Sequence, residues 1–267
     1  MFKGETMKLE VLVATMYQKN LNKYYEMNLN TDVVFANQSD REEYYSECYN
    51  NHTIKMITTK QRGVGKNRNI GLLYMAADVC ALADDDMRYV KGYEEIILNA
   101  YSEIPDADII LFNISDKKKN NKDRKITSKI KRVHFYNVMN YGAPRITFKT
   151  ASLKKANVWF SVLYGGGADF SAGEDSLFLM ECLKKGLKIY TYPAEIAVLE
   201  ETESTWFSGY TEKYFYDKGY LYANLNRKFA FILAIQDVIR HHKKYRNSGR
   251  IYAILKIIFK GISDFKR

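Results

Sequence analysis

Val79-Cys80-Ala81-Leu82-Ala83-Asp84-Asp85-Asp86-Met87 is the stretch whose reading decides the fold. Residues 79–83 are apolar on both faces, which suits a central strand covered by helices on each side. Three consecutive carboxylates follow at once. Their mutual repulsion and low β propensity do not favour folding by themselves. A bound divalent cation offsets such repulsion, because Mg²⁺ and Mn²⁺ prefer oxygen ligands. The competing explanation is a solvated acidic turn capping a helix expected over residues 90–101.

Outward from this stretch, strands are expected over residues 9–14, 32–36 and 53–58, ahead of a helix over 67–77 with Ile70, Leu73, Tyr74 and Ala77 on one face. A strand over 108–113 follows the carboxylates and their helix. This alternation predicts an α/β protein with a doubly wound sheet, whose ligands bind at the carboxyl ends of the strands. Asp84, Asp85 and Asp86 fall at such an end. Residues 116–125 are Lys/Asn-rich and read as a solvated loop. Strands are expected over 126–135 and 145–149, a helix over 174–185 closed by Gly186, and strands over 187–192 and 196–199. Beyond Gly219 the pattern is helical, over 221–241 and 250–262, and no internal repeat is present.

Composition bounds the rest. The chain has 267 residues, 46% apolar, with 3 Pro and 15 Gly, which describes a folded protein with room for one α/β domain and an appendage. Cys48, Cys80 and Cys182 are odd in number and lack paired metal spacing, as expected in a reducing cytoplasm, with Cys80 and Cys182 in the core. The four His give no zinc signature. No signal peptide is expected from the first seven residues, and no run of 18 uncharged apolar residues is long enough to span a bilayer. Net charge is +10, and residues 227–267 carry eleven Lys or Arg against Asp237 and Asp264, an excess of nine. An anionic partner for the tail follows, either a membrane surface or nucleic acid.

Three further segments bear on chemistry. Gly63-Val64-Gly65-Lys66-Asn67-Arg68-Asn69 is a Gly-rich loop entering a helix. It lacks both the Walker spacing and the dinucleotide fingerprint, but two basic side chains at a helix start suit an anion. An ordinary loop with solvated Lys66 and Arg68 is the alternative. Gly165-Gly166-Gly167-Ala168-Asp169, followed by Gly173-Glu174-Asp175, opens the next helix. Acids at a helix start satisfy the macrodipole, and a carboxylate beside a flexible loop also suits general-base work. Glu200-Glu201-Thr202-Glu203, with Trp206 and Tyr210, fits either a metal and sugar site or an exposed turn.

Taken in order, the first strand, Arg68-Asn69-Ile70-Gly71, the strand ending in Asp84, Asp85 and Asp86, and Gly173-Glu174-Asp175 resemble a family-2 glycosyltransferase of the GT-A fold. The type is that of bacterial capsule and exopolysaccharide synthesis, and the resemblance covers roughly residues 8–220. It implies a Rossmann-like mixed sheet flanked by helices, and inverting transfer from a nucleotide-diphosphate sugar, most often a UDP-sugar. Carried over, Thr15 and Tyr17 lie near the nucleotide base, with Asn37 in the turn where relatives carry an Asp. Arg68 matches the Arg that approaches the nucleotide. Asp85 or Asp86 is the match for the ligand of Mn²⁺ or Mg²⁺, Asp84 contacts ribose or an outer-shell water, and Glu174 binds substrate. Asp175 is the general base, ahead of Asp169. Glu200 or Glu201 stands where many relatives carry a His, and Trp206 and Tyr210 stack on a sugar or pack in the core.

The resulting division is a GT-A domain over 1–219, with a nucleotide-binding half at 8–115 and an acceptor half at 116–219, then a basic helical extension over 220–267. In the last helix Ile251, Ile254, Leu255, Ile258 and Ile262 form one stripe. A basic amphipathic helix suits an anionic membrane surface, and the expectation is a peripheral enzyme on the cytoplasmic leaflet acting on a glycan or lipid-linked acceptor. Core packing, or a homo-oligomer formed through that helix, is the alternative. A sugar-1-phosphate nucleotidyltransferase is disfavoured because Val13-Ala14-Thr15-Met16-Tyr17, not a Gly-rich signature, follows the first strand. A non-catalytic polysaccharide- or nucleic-acid-binding protein leaves the acidic clusters unexplained, and without a nucleic-acid module no nucleic-acid partner is expected.

Overall fold

The computed structural model describes residues 7–116, 126–200 and 209–266. In chain order the elements are β1 (Leu9–Met16), α1 (Asn22–Glu26), β2 (Asp32–Gln38), β3 (Glu43–Tyr49), β4 (His52–Thr59), α2 (Val64–Leu73), β5 (Val79–Asp84), β6 (Met87–Tyr89) and α3 (Tyr93–Glu103). There follow β7 (Ile109–Asp116), β8 (Lys131–Arg132), β9 (Ile146–Lys149), α4 (Thr150–Ala156), α5 (Glu174–Lys184), β10 (Ile189–Leu199), α6 (Glu212–Leu225), α7 (Ala230–Tyr245) and α8 (Ile251–Asp264). The strands form one mixed sheet in the order β3-β4-β2-β1-β5-β9-β7-β10-β6, with β8 beside β10. β4, β2, β1 and β5 run parallel, as do β7 and β10, and β9 runs antiparallel between β5 and β7.

Alternation along the central strands feeds two cores. Leu12, Cys80 and Leu82 join the layer built by α5 to α8. Val11, Val13, Val79, Ala81 and Ala83 join the opposite layer with α1 and α3. A strand buried on both faces reads as an unbroken apolar run, which is why residues 79–83 are legible. Cys80 and Cys182 are buried free thiols and Cys48 is exposed.

Several elements differ from expectation. β3 is an edge strand whose side chains are almost all exposed, so Glu-Tyr-Tyr-Ser-Glu-Cys-Tyr carries no apolar alternation to find. α2 begins inside the Gly-rich loop and ends at Leu73, earlier than the 67–77 expected. Of residues 126–135 only Lys131–Arg132 pairs as strand. The expected strands over 187–192 and 196–199 are one strand, β10, interrupted by register shifts after Thr191. The expected helix over 221–241 is two helices, because Asn226 turns extended (φ −161°) and closes α6, which itself starts at Glu212.

The stripe expected to face lipid is also relocated. Ile254, Ile258 and Ile262 of α8 are at most 3% exposed. They pack in the same core as Phe215, Leu221 and Leu225 of α6. Gly219 and Gly261 let α6 and α8 cross in near contact: a Cβ on Gly219 would lie 2.1 Å from the Ile258 carbonyl oxygen, and one on Gly261 2.2 Å from that of Tyr216. Burying three Ile this way contributes roughly 1.5–3 kcal/mol each, so α8 is structural.

Candidate active site

Register brings the first pair of site residues together. Ala14 lies opposite Asp84 on the neighbouring parallel strand, so Thr15 and Asp85 are the next residues beyond. Thr15 Oγ1 donates to Asp85 Oδ2 at 2.5 Å. Asp85 and Asp86 form the turn into β6, and the Glu200 N–H, just past β10, donates to the Asp86 carbonyl at 2.8 Å. The acidic turn is thereby held from β1 on one side and β10 on the other.

Arg68 joins this strand end to the second acidic motif. It is 3% exposed in the first turns of α2. Nη2 donates to Asp84 Oδ1 at 2.8 Å, and Nη1 to Asp175 Oδ1 at 2.9 Å and to Glu174 Oε1 at 3.3 Å. Its guanidinium carbon sits 5.3 Å from the Phe160 ring centroid, and Phe160 stacks on Phe178 of α5 at 4.1 Å. Burial alone would lower the guanidinium pKa, but Asp84, Asp175 and Glu174 outweigh it and hold the proton more firmly than usual. The neighbours in sequence anchor the helix: Asn67 Nδ2 donates to the Ala36 carbonyl at 2.6 Å, and the Asn69 side chain exchanges two hydrogen bonds with the Phe160 backbone.

Glu174 and Asp175 open α5, where the macrodipole favours anions. Gly173 precedes them at φ +120°, where a side chain would be strained and a Cβ would lie 2.6 Å from Leu221. Asp175 Oδ2 accepts the Ala143 N–H at 2.8 Å, so both of its oxygens are oriented. Burial raises the Asp175 carboxyl above the ordinary Asp range, against the pull of Arg68. Burial first, then the charge of Asp175, pushes Glu174 up to about 7. One cation facing three carboxylates is an excess of negative charge, and a proton on Glu174 near neutrality relieves it. What remains is a fixed, half-buried Asp175 that is more basic than an ordinary Asp, the direction that proton abstraction favours.

The donor contacts expected further along divide. Tyr17 is 56% exposed at φ +56°, with the Arg62 guanidinium over its ring at 5.1 Å. Thr15 and Asn37 do not face solvent. Thr15 is 2% exposed and spends its hydroxyl on Asp85. Asn37 is 0% exposed, and its amide holds the Gln18 N–H and carbonyl and the Thr58 hydroxyl, each at 3.0 Å. Both brace the loops and are not available to a bound base. In the turn after β2 the exposed carboxylate is Asp40, held below the usual range first by the Ser39 hydroxyl. Arg68 is likewise committed to carboxylates. Trp206, Glu201 and Glu203 lie outside the described residues. Glu200 sits 3.7 Å from Arg88 Nη1.

Sequence reasoning also missed the brace behind the glycine loop. Asp217 of α6 is 3% exposed; its Oδ2 accepts the Ser171 N–H at 2.9 Å and both oxygens take Lys213 Nζ. Lys213 also donates to the Asp169 carbonyl at 2.7 Å. Phe170 is stacked between Tyr164 and Tyr220. A contact between a loop N–H and a carboxylate 46 residues later leaves no local mark in the chain.

Among the described residues no three His, Cys, Asp or Glu side chains converge as a ready metal cage. The donor chemistry nonetheless fits a hard cation. The Asp84-Asp85-Asp86 turn offers carboxylate oxygens, and Mg²⁺ is usually held by one or two carboxylates with phosphate and water completing the shell.

An α/β sheet with an acidic turn at the carboxyl end of a central strand, tied through a buried Arg to a carboxylate opening a later helix, defines a nucleotide-sugar-transferase-like class. The chain belongs to glycosyl transferase family 2, whose pattern it matches over residues 18–160. It is similar in fold to S. aureus TarS 1-349 in complex with UDP-GlcNAc, with TM-score 0.63 and 17% identity over 89% of this chain and 73% of that one. The same fragment in complex with UDP gives 0.60 at 17% identity, over 91% and 74%. A longer S. aureus TarS structure gives 0.58 at 17%, and there the match spans 82% of this chain but 40% of the other. No curated protein matches the chain.

Proposed function

We propose that this glycosyltransferase moves a sugar, with inversion, from a UDP-sugar to a hydroxyl of a glycan or lipid-linked acceptor in bacterial surface-polysaccharide synthesis. The observation that carries the reading is the Arg68-centred cluster, which sets Asp175 beside the carboxyl end of β5. The UDP and UDP-GlcNAc complexes of TarS, similar in fold, favour a uridine donor.

In this reading Asp175 takes the proton of the acceptor hydroxyl. The acceptor oxygen bonds to the anomeric carbon, the bond from that carbon to the diphosphate breaks, and the nucleoside diphosphate leaves with the electron pair. General-base catalysis of this kind contributes roughly 10²- to 10⁴-fold. Asp85 and Asp86 are the residues that would hold Mn²⁺ or Mg²⁺, and Thr15 orients Asp85 for that task. A bound divalent cation supplies Lewis-acid stabilisation of the departing diphosphate. Tyr17, with Arg62 above it and Asp40 nearby in the next loop, replaces Asn37 as the candidate contact for the base. Arg68 holds Asp84, Glu174 and Asp175 in mutual position and does not itself grip nucleotide.

The test is nucleotide release from UDP-, GDP- and dTDP-sugars with Mn²⁺ or Mg²⁺. Slow hydrolysis of one donor, abolished by chelator and by Asp85→Asn, is expected. Asp175→Asn should keep donor binding and lose transfer by at least about 10²-fold. Failure to bind or cleave any nucleotide sugar under either metal would overturn the reading.

A further inference from the structure

We propose that the outer face of α7 is a docking surface for an anionic lipid bilayer. The proposal deepens the reading of a lipid-linked acceptor, but its residues stand apart from the active site and can be tested without catalysis.

The inward and outward faces of α7 are inverted in size. Ala230, Ala234 and Val238 are buried against the body. Ile232, Ile235 and Ile239, spaced by three and four residues along the same helix, are 62%, 43% and 66% exposed. They line a shallow groove of about 440 Å³ with Gln236 and Arg240. Phe229 and Phe231 extend the apolar surface at the helix start, Phe231 resting one ring edge on Phe259. A water-facing helix normally carries its large apolar residues inward, so this face is built for something other than water.

Charge selects what covers it. Arg227 and Lys228 lie before the helix, Arg240, Lys243 and Lys244 on it, and Arg246 and Arg250 after it, all exposed. The one acid from Arg227 to Arg250 is Asp237, and it is turned inward. Lys218 Nζ reaches both of its oxygens at 2.7 Å, and Tyr245 and His241 take up the rest. The outer face is therefore apolar along its middle and cationic at its ends, and residues 227–250 add no exposed carboxylate to it. A membrane interface with anionic headgroups satisfies both parts at once. A second copy would bring two like-charged collars together, and a nucleic acid would use the cations and leave the isoleucines bare. The Lys218–Asp237 clamp presents the face as a rigid element, which spares the ordering cost of a helix that folds on contact.

Co-sedimentation of the full chain with phosphatidylcholine vesicles, with and without phosphatidylglycerol, tests this at low and high ionic strength. Binding that needs phosphatidylglycerol and weakens with salt is expected. Ile232→Asp with Ile239→Asp should weaken it at least about tenfold, and Arg240→Glu with Lys243→Glu should remove the preference for anionic lipid. Both variants change exposed side chains, so an unaltered Tm and unaltered nucleotide binding accompany the expected result. Wild-type protein that ignores anionic vesicles, or an Ile232/Ile239 variant that binds them as well, overturns the proposal. So does a dimer in analytical ultracentrifugation that the same pair dissolves in the absence of any lipid binding. Loss of sugar transfer alone bears on the active site and leaves the surface standing.

Discussion

Replacing Glu174 by Gln is expected to make the protein more stable at pH 8 and to leave it nearly unchanged at pH 4. Burial, then the neighbouring charge of Asp175, displaces the Glu174 carboxyl from 4.5 to about 7, against the pull of Arg68. Each pH unit of displacement is worth about 1.36 kcal/mol, so the full displacement amounts to about 3 kcal/mol. The side chain is only 12% exposed, so little is lost to solvent screening. Because Asp175 shares the titration, that figure belongs to the pair and is an upper bound for Glu174 alone. The unfolded chain releases this proton near 4.5 and the folded protein keeps it to about 7, so between those values the folded state binds more protons. Stability then falls as pH rises through that window; the contribution is whole below 4.5 and gone above 7. A Gln has no proton to lose. Urea unfolding of both proteins from pH 4 to pH 8 measures the difference directly. Asp175 is also raised, and it loses a coupled neighbour in the Gln variant, so the difference between the two curves reports the pair. Parallel curves would refute the reasoning, as would a Glu174→Gln protein that is less stable than wild type at pH 8.

Arg68→Met removes the cation from between three carboxylates and should cost about 3–5 kcal/mol, the usual effect of breaking a buried ion pair; urea unfolding should show a larger loss at pH 8 than at pH 5, where Glu174 keeps its proton. Thr15→Val takes the hydroxyl from Asp85, and calorimetric titration should show metal-dependent nucleotide affinity reduced about tenfold or more, with metal-free binding unaffected. Gly261→Ala forces a methyl group to within 2.2 Å of the Tyr216 carbonyl oxygen, so α6 and α8 must part; thermal unfolding should report a loss of about 1–3 kcal/mol. Ala is also a better helix former than Gly, so a stabilised protein would show that the crossing is looser than described.

The central strands and the position of the acidic turn were legible because a doubly buried strand admits little but apolar residues, as in Val79-Cys80-Ala81-Leu82-Ala83. The join between Asp84 and Asp175 was legible only through the family resemblance, since nothing local links residues 91 positions apart. Thr15 and Asn37 were assigned to the ligand through the family resemblance. The chain does not reveal that Thr15 gives its hydroxyl to Asp85 in the acidic turn, or that Asn37 is spent on the Gln18 backbone and Thr58. β3 escaped notice because an edge strand with both faces wet needs no alternation. The tail shows the same limit from the other side. Amphipathic spacing marks a stripe on α7 and on α8 alike, but which stripe has a partner depends on the α6–α8 crossing at Gly219 and Gly261.

That crossing also shows why the C-terminal helices are more than an appendage. Within a little more than one turn of α6, successive residues reach in different directions. Asp217 holds the Ser171 N–H of the glycine loop, Lys218 grips Asp237 of α7, Gly219 admits α8, Tyr220 stacks on Phe170, and Leu221 fills the space a Gly173 side chain would need. One short stretch therefore fixes the loop that leads into Glu174 and Asp175 relative to the exposed face of α7. If that face lies on a bilayer, the distance from lipid surface to Asp175 is set by packed helix and not by a linker. A lipid-linked acceptor would then meet the base at a fixed height above the membrane. The wide separation of these contacts in sequence also explains why helices that read as an extension share a core with the loop that leads into Glu174 and Asp175.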